Sequence, residues 1–295
     1  MLRSVIDYIN DGHELWDVKE KPRIALYGCF QVGKSTLINC LMNHYVALTG
    51  NGLATTSLTA RYRYGDKQLQ YRRSNGYLAD IAQEQLHNLK SLDDFYSDKS
   101  FFCLEAHEPA EILKLCDMID TPGFQANAAD TDTALGIINS VNYGLFIIPN
   151  RGLWDVEKKL LKRLSEHLPV SVIMNCSEGR GTPKWIPSHS INQNILAENK
   201  ASLSTAGIHT LPLGGEEIFV CNALFYWSRQ DDFDTSKVYV EEADTLAEQI
   251  DFTLTMKGED TSRENILSLS RIPKLVDGLK ERINKYNPVT HHWND

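Results

Sequence analysis

Eight residues constrain this chain more than any others. Gly28-Cys29-Phe30-Gln31-Val32-Gly33-Lys34-Ser35 fits G-x-x-x-x-G-K-[ST]. The apolar run Arg23–Tyr27 before it reads as a short strand, and Thr36–Met42 after it reads as a buried helix. Strand, glycine loop and helix in that order form a phosphate-binding loop. Glycine lets the backbone wrap closely around phosphate oxygens. The loop amides and the helix N-terminus, where Thr36 sits, present positive potential to them. Lys34 is placed to offset charge on the β- and γ-phosphates, and Ser35 to give its hydroxyl oxygen to Mg²⁺.

Four further segments follow in a matching order. Asp120-Thr121-Pro122-Gly123 ends an apolar strand, where the Asp120 carboxylate can hold Mg²⁺ and the Gly123 amide can sense a γ-phosphate. Thr55 and Thr56 lie in the polar loop between the two motifs. A hydroxyl there, with Thr56 the metal candidate, completes the Mg²⁺ shell only while the triphosphate is present, which makes the loop a switch. Asn175-Cys176-Ser177-Glu178 follows a buried strand, where the pattern Asn-Lys-x-Asp reads guanine. Asn175 fits that pattern, the lysine is Cys176, and the aspartate is Glu178, longer by one methylene. Guanine and adenine both stay open on these residues. Asn222, with Ala223 and Leu224 after the last strand, is placed to meet the base through the backbone. Phe124 stands where many small GTPases carry a water-orienting glutamine. Besides Lys34, Gln31 is the only long polar side chain in the phosphate loop; the attacking water is left to Gln31, a switch threonine, backbone or a partner, and Lys34, Gln31, Thr55 and Thr56 are the catalytic candidates.

Further strands are expected at Ser100–Ala106, Leu113–Ile119, Tyr143–Ile148, Val170–Met174 and Glu217–Leu224, with a hairpin of Thr59–Tyr64 and Gln68–Arg72 around Gly65-Asp66. Helices are expected at Tyr77–Leu89, Thr131–Val141, Trp154–His167, Ile191–Leu203, Val240–Leu254 and Pro273–Tyr286. Strands alternating with helices imply an α/β fold, a mostly parallel central sheet with helices on both faces. The chain divides into an N-terminal helix (1–22), a core (23–228) and a C-terminal helical extension (229–295). The apolar stripes on residues 1–20 and 273–286 either pair as a bundle or pack on the core. Trp154, Trp185 and Trp227 read as core or lid residues, and His291-His292 as an unstructured tail rather than a metal site.

The 295 residues carry a net charge of −9. An acidic chain has no general pull toward nucleic acid, so no nucleic-acid partner is expected. Arg61, Arg63, Arg72 and Arg73 read as a solvated strand face. The six cysteines show no CxxC spacing, which argues against zinc and fits a reducing cytoplasm.

The chain resembles the GTPase domain of bacterial dynamin-like proteins. The likeness is carried by YGCFQVGKSTLINCLM from Tyr27, LTGNGLATTSLTARYRYGD from Leu48, EPAEILKLCDMIDTPG from Glu108 and VCNALFYW from Val220, across roughly residues 23–228. The resemblance implies a phosphate-loop GTPase fold and Mg²⁺-dependent GTP binding and hydrolysis to GDP. It also implies a nucleotide-dependent homodimer through the GTPase face, and a membrane surface or helical partner protein as a further contact. The alternatives from the altered residues are a nucleotide-binding interaction module with little hydrolysis, and an ATPase on the same scaffold.

Overall fold

The computed structural model describes residues 21–47, 59–73, 78–80, 101–124, 134–176, 193–231, 246–290 and 292–293. The expected helix at 1–20 lies outside them.

The phosphate-loop strand β1 (Arg23–Tyr27) lies inside the parallel half of the sheet. It is flanked by β6 (Asp117–Asp120) on one side and β7 (Tyr143–Pro149) on the other. β8 (Val170–Asn175) and β9 (Ile218–Cys221) extend the parallel half beyond β7. These strands are apolar nearly throughout, because helices cover both faces of a parallel sheet and leave no side for water. Ile24, Leu26, Tyr27, Leu145, Ile147, Val172, Ile173 and Phe219 are fully buried. Five parallel strands place five carboxyl ends along one edge, and β1, at which the strand order reverses, carries the phosphate loop there.

The other half of the sheet corrects one expectation. β2 (Thr59–Tyr64) and β3 (Gln68–Arg73) do not form a hairpin. β5 (Phe101–Glu108) lies between them, parallel to β2 and antiparallel to β3. The turn at 65–67 steps across the end of β5, and the Gly65 amide donates to the Glu108 carbonyl at 3.3 Å. Alternation shows that two runs are strands but not that they are partners, and the partner here comes some forty residues later. β2 closes the junction by pairing antiparallel with β6. β4 (Leu78–Asp80) is a strand at the edge, where a helix was expected from Tyr77; residues 81–89 are outside the description. The strand expected at Leu113–Ile119 starts later, because residues Glu111–Lys114 form a 3₁₀ turn.

Of the basic strand face, the reading of Arg61 as solvated is corrected. Arg61 is 4% exposed and its guanidinium is forked onto Asp117 of β6, at 3.1 Å from Nε and 2.5 Å from Nη2. A charge this deep is tolerated only with its counter-charge beside it.

The helices are α1 (Lys34–Met42), α2 (Asp155–Ser165), α3 (Gln193–Thr205), α4 (Ala223–Trp227), α5 (Leu246–Met256), α6 (Arg263–Ser270) and α7 (Ile272–Ile283). The stripe of α7, Ile272, Leu275, Leu279 and Ile283, belongs to the main core, so this stripe packs on the sheet domain. A smaller core joins Phe225 of α4 to Leu246, Ile250 and Leu254 of α5 and Ile266 of α6. Trp227 is buried, and Trp154 is exposed with the Arg151 guanidinium over its ring. His292 is not in an unstructured tail, and His291 lies outside the described residues. Tyr286–Asn287 pairs with His292–Trp293, and the Trp293 indole packs on Tyr143 and Tyr286 while donating to the Asn142 carbonyl at 2.8 Å.

Candidate nucleotide site

The phosphate loop is shaped by two positive-φ glycines, Gly28 and Gly33, and by what crowds them. Gly33 has φ +86°, and a Cβ there would lie 2.4 Å from Asn175 Nδ2, so no side chain fits. Gln31 takes φ 62° and leaves its side chain exposed. Val32 and Cys29 point into the core, and Phe30 is half-buried. α1 starts immediately after Gly33, which aims the amides of its first turn, at Lys34, Ser35 and Thr36, toward the loop.

Lys34 is 6% exposed. Its ammonium donates to the Gly28 and Cys29 carbonyls at 3.2 and 3.1 Å, so the charge is held inside the loop. Ser35 Oγ donates to Asp120 Oδ2 at 2.7 Å. This contact joins two motifs eighty-five residues apart and makes one site of them. Asp120 is 1% exposed, and its Oδ1 has no hydrogen-bond partner. Burial pushes the carboxyl up to about 6, against the pull of Lys34, Ser35 and the Thr121 amide. A buried oxygen without a partner, next to a serine hydroxyl, is a donor set suited to a hard divalent cation. Among the described residues no group of three or more His, Cys, Asp or Glu could hold a metal. Serine and one carboxylate therefore fit Mg²⁺ in the manner of phosphate-bound Mg²⁺, whose other ligands are phosphate oxygens and water.

Thr121 and Phe124 fasten the segment after Asp120. Thr121 Oγ1 donates to the Leu26 carbonyl of β1 at 2.7 Å. The Phe124 amide donates to the Gly28 carbonyl and the Phe30 amide to the Phe124 carbonyl, both at 3.1 Å. The Phe124 ring is fully buried, stacked with Tyr27 and Phe146. Gly123 then passes so close to the loop that a Cβ would lie 2.8 Å from Phe30 Cα and 3.3 Å from Lys34 Nζ.

On the other side of β1, Asn175 donates to the Val32 carbonyl at 3.1 Å and accepts from the Ala223 amide at 3.2 Å. It ties the phosphate loop to β8 and α4. Cys176 is buried, and its amide donates to Cys221. Asn222 caps α4 by accepting from the Phe225 amide at 3.1 Å, and its own amide donates to the Ser270 carbonyl. Thr55, Thr56 and Glu178 lie outside the described residues.

Two features were not legible beforehand. Glu157 is fully buried, accepts both ends of the Arg151 guanidinium and the Trp154 amide, and receives the Cys29 thiol. Burial, with Glu157 next in effect, pushes that thiol up to about 12. Asn150, directly after β7, is buried at the same edge; its only signal in the sequence is its place behind an apolar run.

The sequence profile of a family described as 50S ribosome-binding GTPase matches residues 23–176, more than half of the chain. No curated protein matches. Two structures of an oligomerised bacterial dynamin pair, described as sensing and tethering membranes, are similar at 18% and 17% identity. The matches cover 85% of this chain and 37% and 36% of theirs, with TM-scores of 0.49 and 0.47. The Era GTPase of Aquifex aeolicus, bound to GDP and tetrafluoroaluminate, is similar at 17% identity over 79% of this chain and 56% of its own, with a TM-score of 0.37. The chain thus spans little more than a third of the length of the bacterial dynamin chains it matches.

Proposed function

The chain belongs to the family of 50S ribosome-binding GTPases, and on that premise we propose that it is a Mg²⁺-dependent GTP hydrolase that works as a self-associating, dynamin-like switch. The observation that carries the nucleotide and metal part is the Ser35–Asp120 contact beneath Lys34, with the second Asp120 oxygen buried and unpartnered. Lys34 and the amides of residues 29–36 bind the phosphates. Ser35 and Asp120 hold Mg²⁺, whose role when bound is to neutralise charge on the β- and γ-phosphates. Thr56 joins them from the switch loop, and Gly123, close to Phe30 and Lys34, follows the γ-phosphate.

Self-association is supported by what Phe124 does. It is locked in the core by stacking and two backbone hydrogen bonds, so it orients no water. Gln31, exposed on the loop, and Thr55 and Thr56 are then the groups for that task. Ordering them costs conformational entropy that a second GTPase face offsets. The sequence resemblance to dynamin-like proteins supports the same partner, with a membrane surface or helical protein beyond it. No helix among the described residues is long and apolar enough to cross a membrane. The reading includes no nucleic acid: the net charge is −9 and Arg61 is neutralised by Asp117. Co-sedimentation with large ribosomal subunits tests that part, and retention at physiological salt overturns it.

The deciding experiment is single-turnover hydrolysis of GTP and ATP side by side, with and without EDTA, over a range of protein concentration. We expect Mg²⁺-dependent GTP turnover whose rate per molecule rises with concentration. Turnover untouched by EDTA overturns the metal roles. A flat rate with a monomer in every nucleotide state overturns self-association and leaves an isolated switch.

A further inference from the structure

Six asparagines are buried among the described residues: Asn39, Asn142, Asn150, Asn175, Asn199 and Asn222. Five of them brace backbone. Asn39 holds Val46 and Ala47, Asn142 holds Arg23, Asn175 spans Val32 and Ala223, Asn199 spans Arg151 and Leu153, and Asn222 caps Phe225. Asn150 is different. It is 4% exposed, and neither its Nδ2 nor its Oδ1 has a hydrogen-bond partner. A buried carboxamide with both ends unsatisfied destabilises a fold, and such a group calls for a reason, of which a ligand is one.

Its position says which ligand. β7 and β8 run parallel with Pro149 opposite Asn175, so Asn150 and Cys176 are each the next residue beyond that last pair. On the other flank, the Ile147 carbonyl lies 2.5 Å from where a Gly28 Cβ would be. Three residues further on, the chain has passed the start of the phosphate loop and reached the carboxyl edge of the sheet, where ligands of such folds bind. The loop is not free to fold Asn150 away. The Arg151 amide donates to the Pro149 carbonyl at 2.8 Å, Asn199 clamps Arg151 and Leu153, and Arg151 is forked onto buried Glu157. The phosphates already have Lys34 and a row of amides. A neutral group that both donates and accepts suits the neutral end of a nucleotide.

We propose that Asn150 is a nucleoside-recognition residue, whose buried carboxamide, one residue beyond the Pro149–Asn175 pair, donates to and accepts from the ribose–base portion of the bound nucleotide. It supplies a polar contact on the side where the guanine-reading pattern has a lysine and this chain has cysteine. The inference rests on the nucleotide-binding reading of the phosphate loop.

The test uses Asn150→Leu, close in shape, and Asn150→Ala, with Lys34→Ala alongside. Affinities for GTP and GDP are read by titration, and thermal midpoints without nucleotide. Both Asn150 variants should lose about tenfold in affinity for GTP and GDP alike, the size of a buried hydrogen bond or two. The nucleotide-free Asn150→Leu protein should melt a few degrees higher, because an unsatisfied buried amide is gone. A merely structural asparagine gives the reverse, a lower midpoint with affinity unchanged, and that result overturns the inference. So does a loss confined to GTP, which places Asn150 at the γ-phosphate. If the wild-type chain binds neither nucleotide, the phosphate-loop reading falls and takes the inference with it. If the wild type binds, Lys34→Ala does not, and the Asn150 variants bind like wild type, the inference falls alone.

Discussion

The two flanks of β1 differ in what their side chains are directed at. Toward β6, the side-chain chemistry is already directed at a ligand: a lysine curled inside its loop, a serine on a carboxylate, and one carboxylate oxygen buried without a partner. Toward β8, the groups are directed at the protein itself. Asn175 bridges the phosphate loop and α4, Asn222 caps a helix, and Cys176 is sealed into the sheet. Binding triphosphate and metal needs fixed charges at fixed places, and those places are set by strand ends and a glycine loop. Choosing a base needs only that a few groups be left over, and on this flank few are.

That contrast is broken most directly on the phosphate flank. Lys34→Ala should lower hydrolysis by at least about 10³-fold and weaken triphosphate binding, because the ammonium is the fixed counter-charge in the loop. Wild-type-like turnover in that variant would remove the flank's role. Gly123→Ala comes next. Its Cβ would meet backbone, Phe30 Cα at 2.8 Å, which cannot rotate aside as a side chain would. The phosphate loop must shift, and a misplacement of about 1 Å near the chemistry costs on the order of 10²-fold. GTP turnover within a factor of three of wild type would show that the loop yields more easily than its contacts suggest.

The third effect is a pH dependence. Burial holds the Asp120 carboxyl up near 6, so the neutral form is favoured in the fold. For the nucleotide-free protein, the stability this group contributes is present below the ordinary carboxylate range and is lost as pH rises through about 6. Metal binding runs the other way, since only the carboxylate ligates Mg²⁺. Apparent Mg²⁺ affinity should therefore fall about tenfold per pH unit below 6. Asp120→Asn should melt higher than wild type at pH 7 without nucleotide, and lose the Mg²⁺ requirement's pH dependence. Isothermal titration at pH 5 and 7 checks the first, and paired melts check the second.

How far the sequence could be read follows the same divide. The shape of the loop was legible because Gly33, Lys34 and Ser35 stand next to one another between a strand and a helix. Asp120 was legible from its strand and the Pro-Gly after it. The pairing of β2 and β3 was not, because alternation records which faces are buried and β5 arrives from elsewhere in the chain. Arg61 misled for a related reason: its charge looked solvated until β6 placed Asp117 beside it. Glu157 and Asn150 are ordinary residues in a helix turn and a loop, and only burial marks them.

The smallest effect tests the base flank. Asn175 is the residue that matches the guanine-reading pattern, yet its side chain is engaged on both sides by Val32 and Ala223. Removing it leaves a buried carbonyl and a buried amide without those partners, at roughly 2–3 kcal/mol of stability in total. Asn175→Ala should therefore melt lower, and should weaken GTP and ATP together through the phosphate loop it braces. Because both nucleotides share that loop, the ratio of their affinities should move by less than about threefold, whereas a group that reads base edges shifts such a ratio strongly. Titration of both nucleotides against the variant, with melting curves alongside, separates a brace from a reader. A collapse of guanine preference with an unchanged melting midpoint would make Asn175 a reader, and the contrast between the flanks would narrow to Cys176 alone.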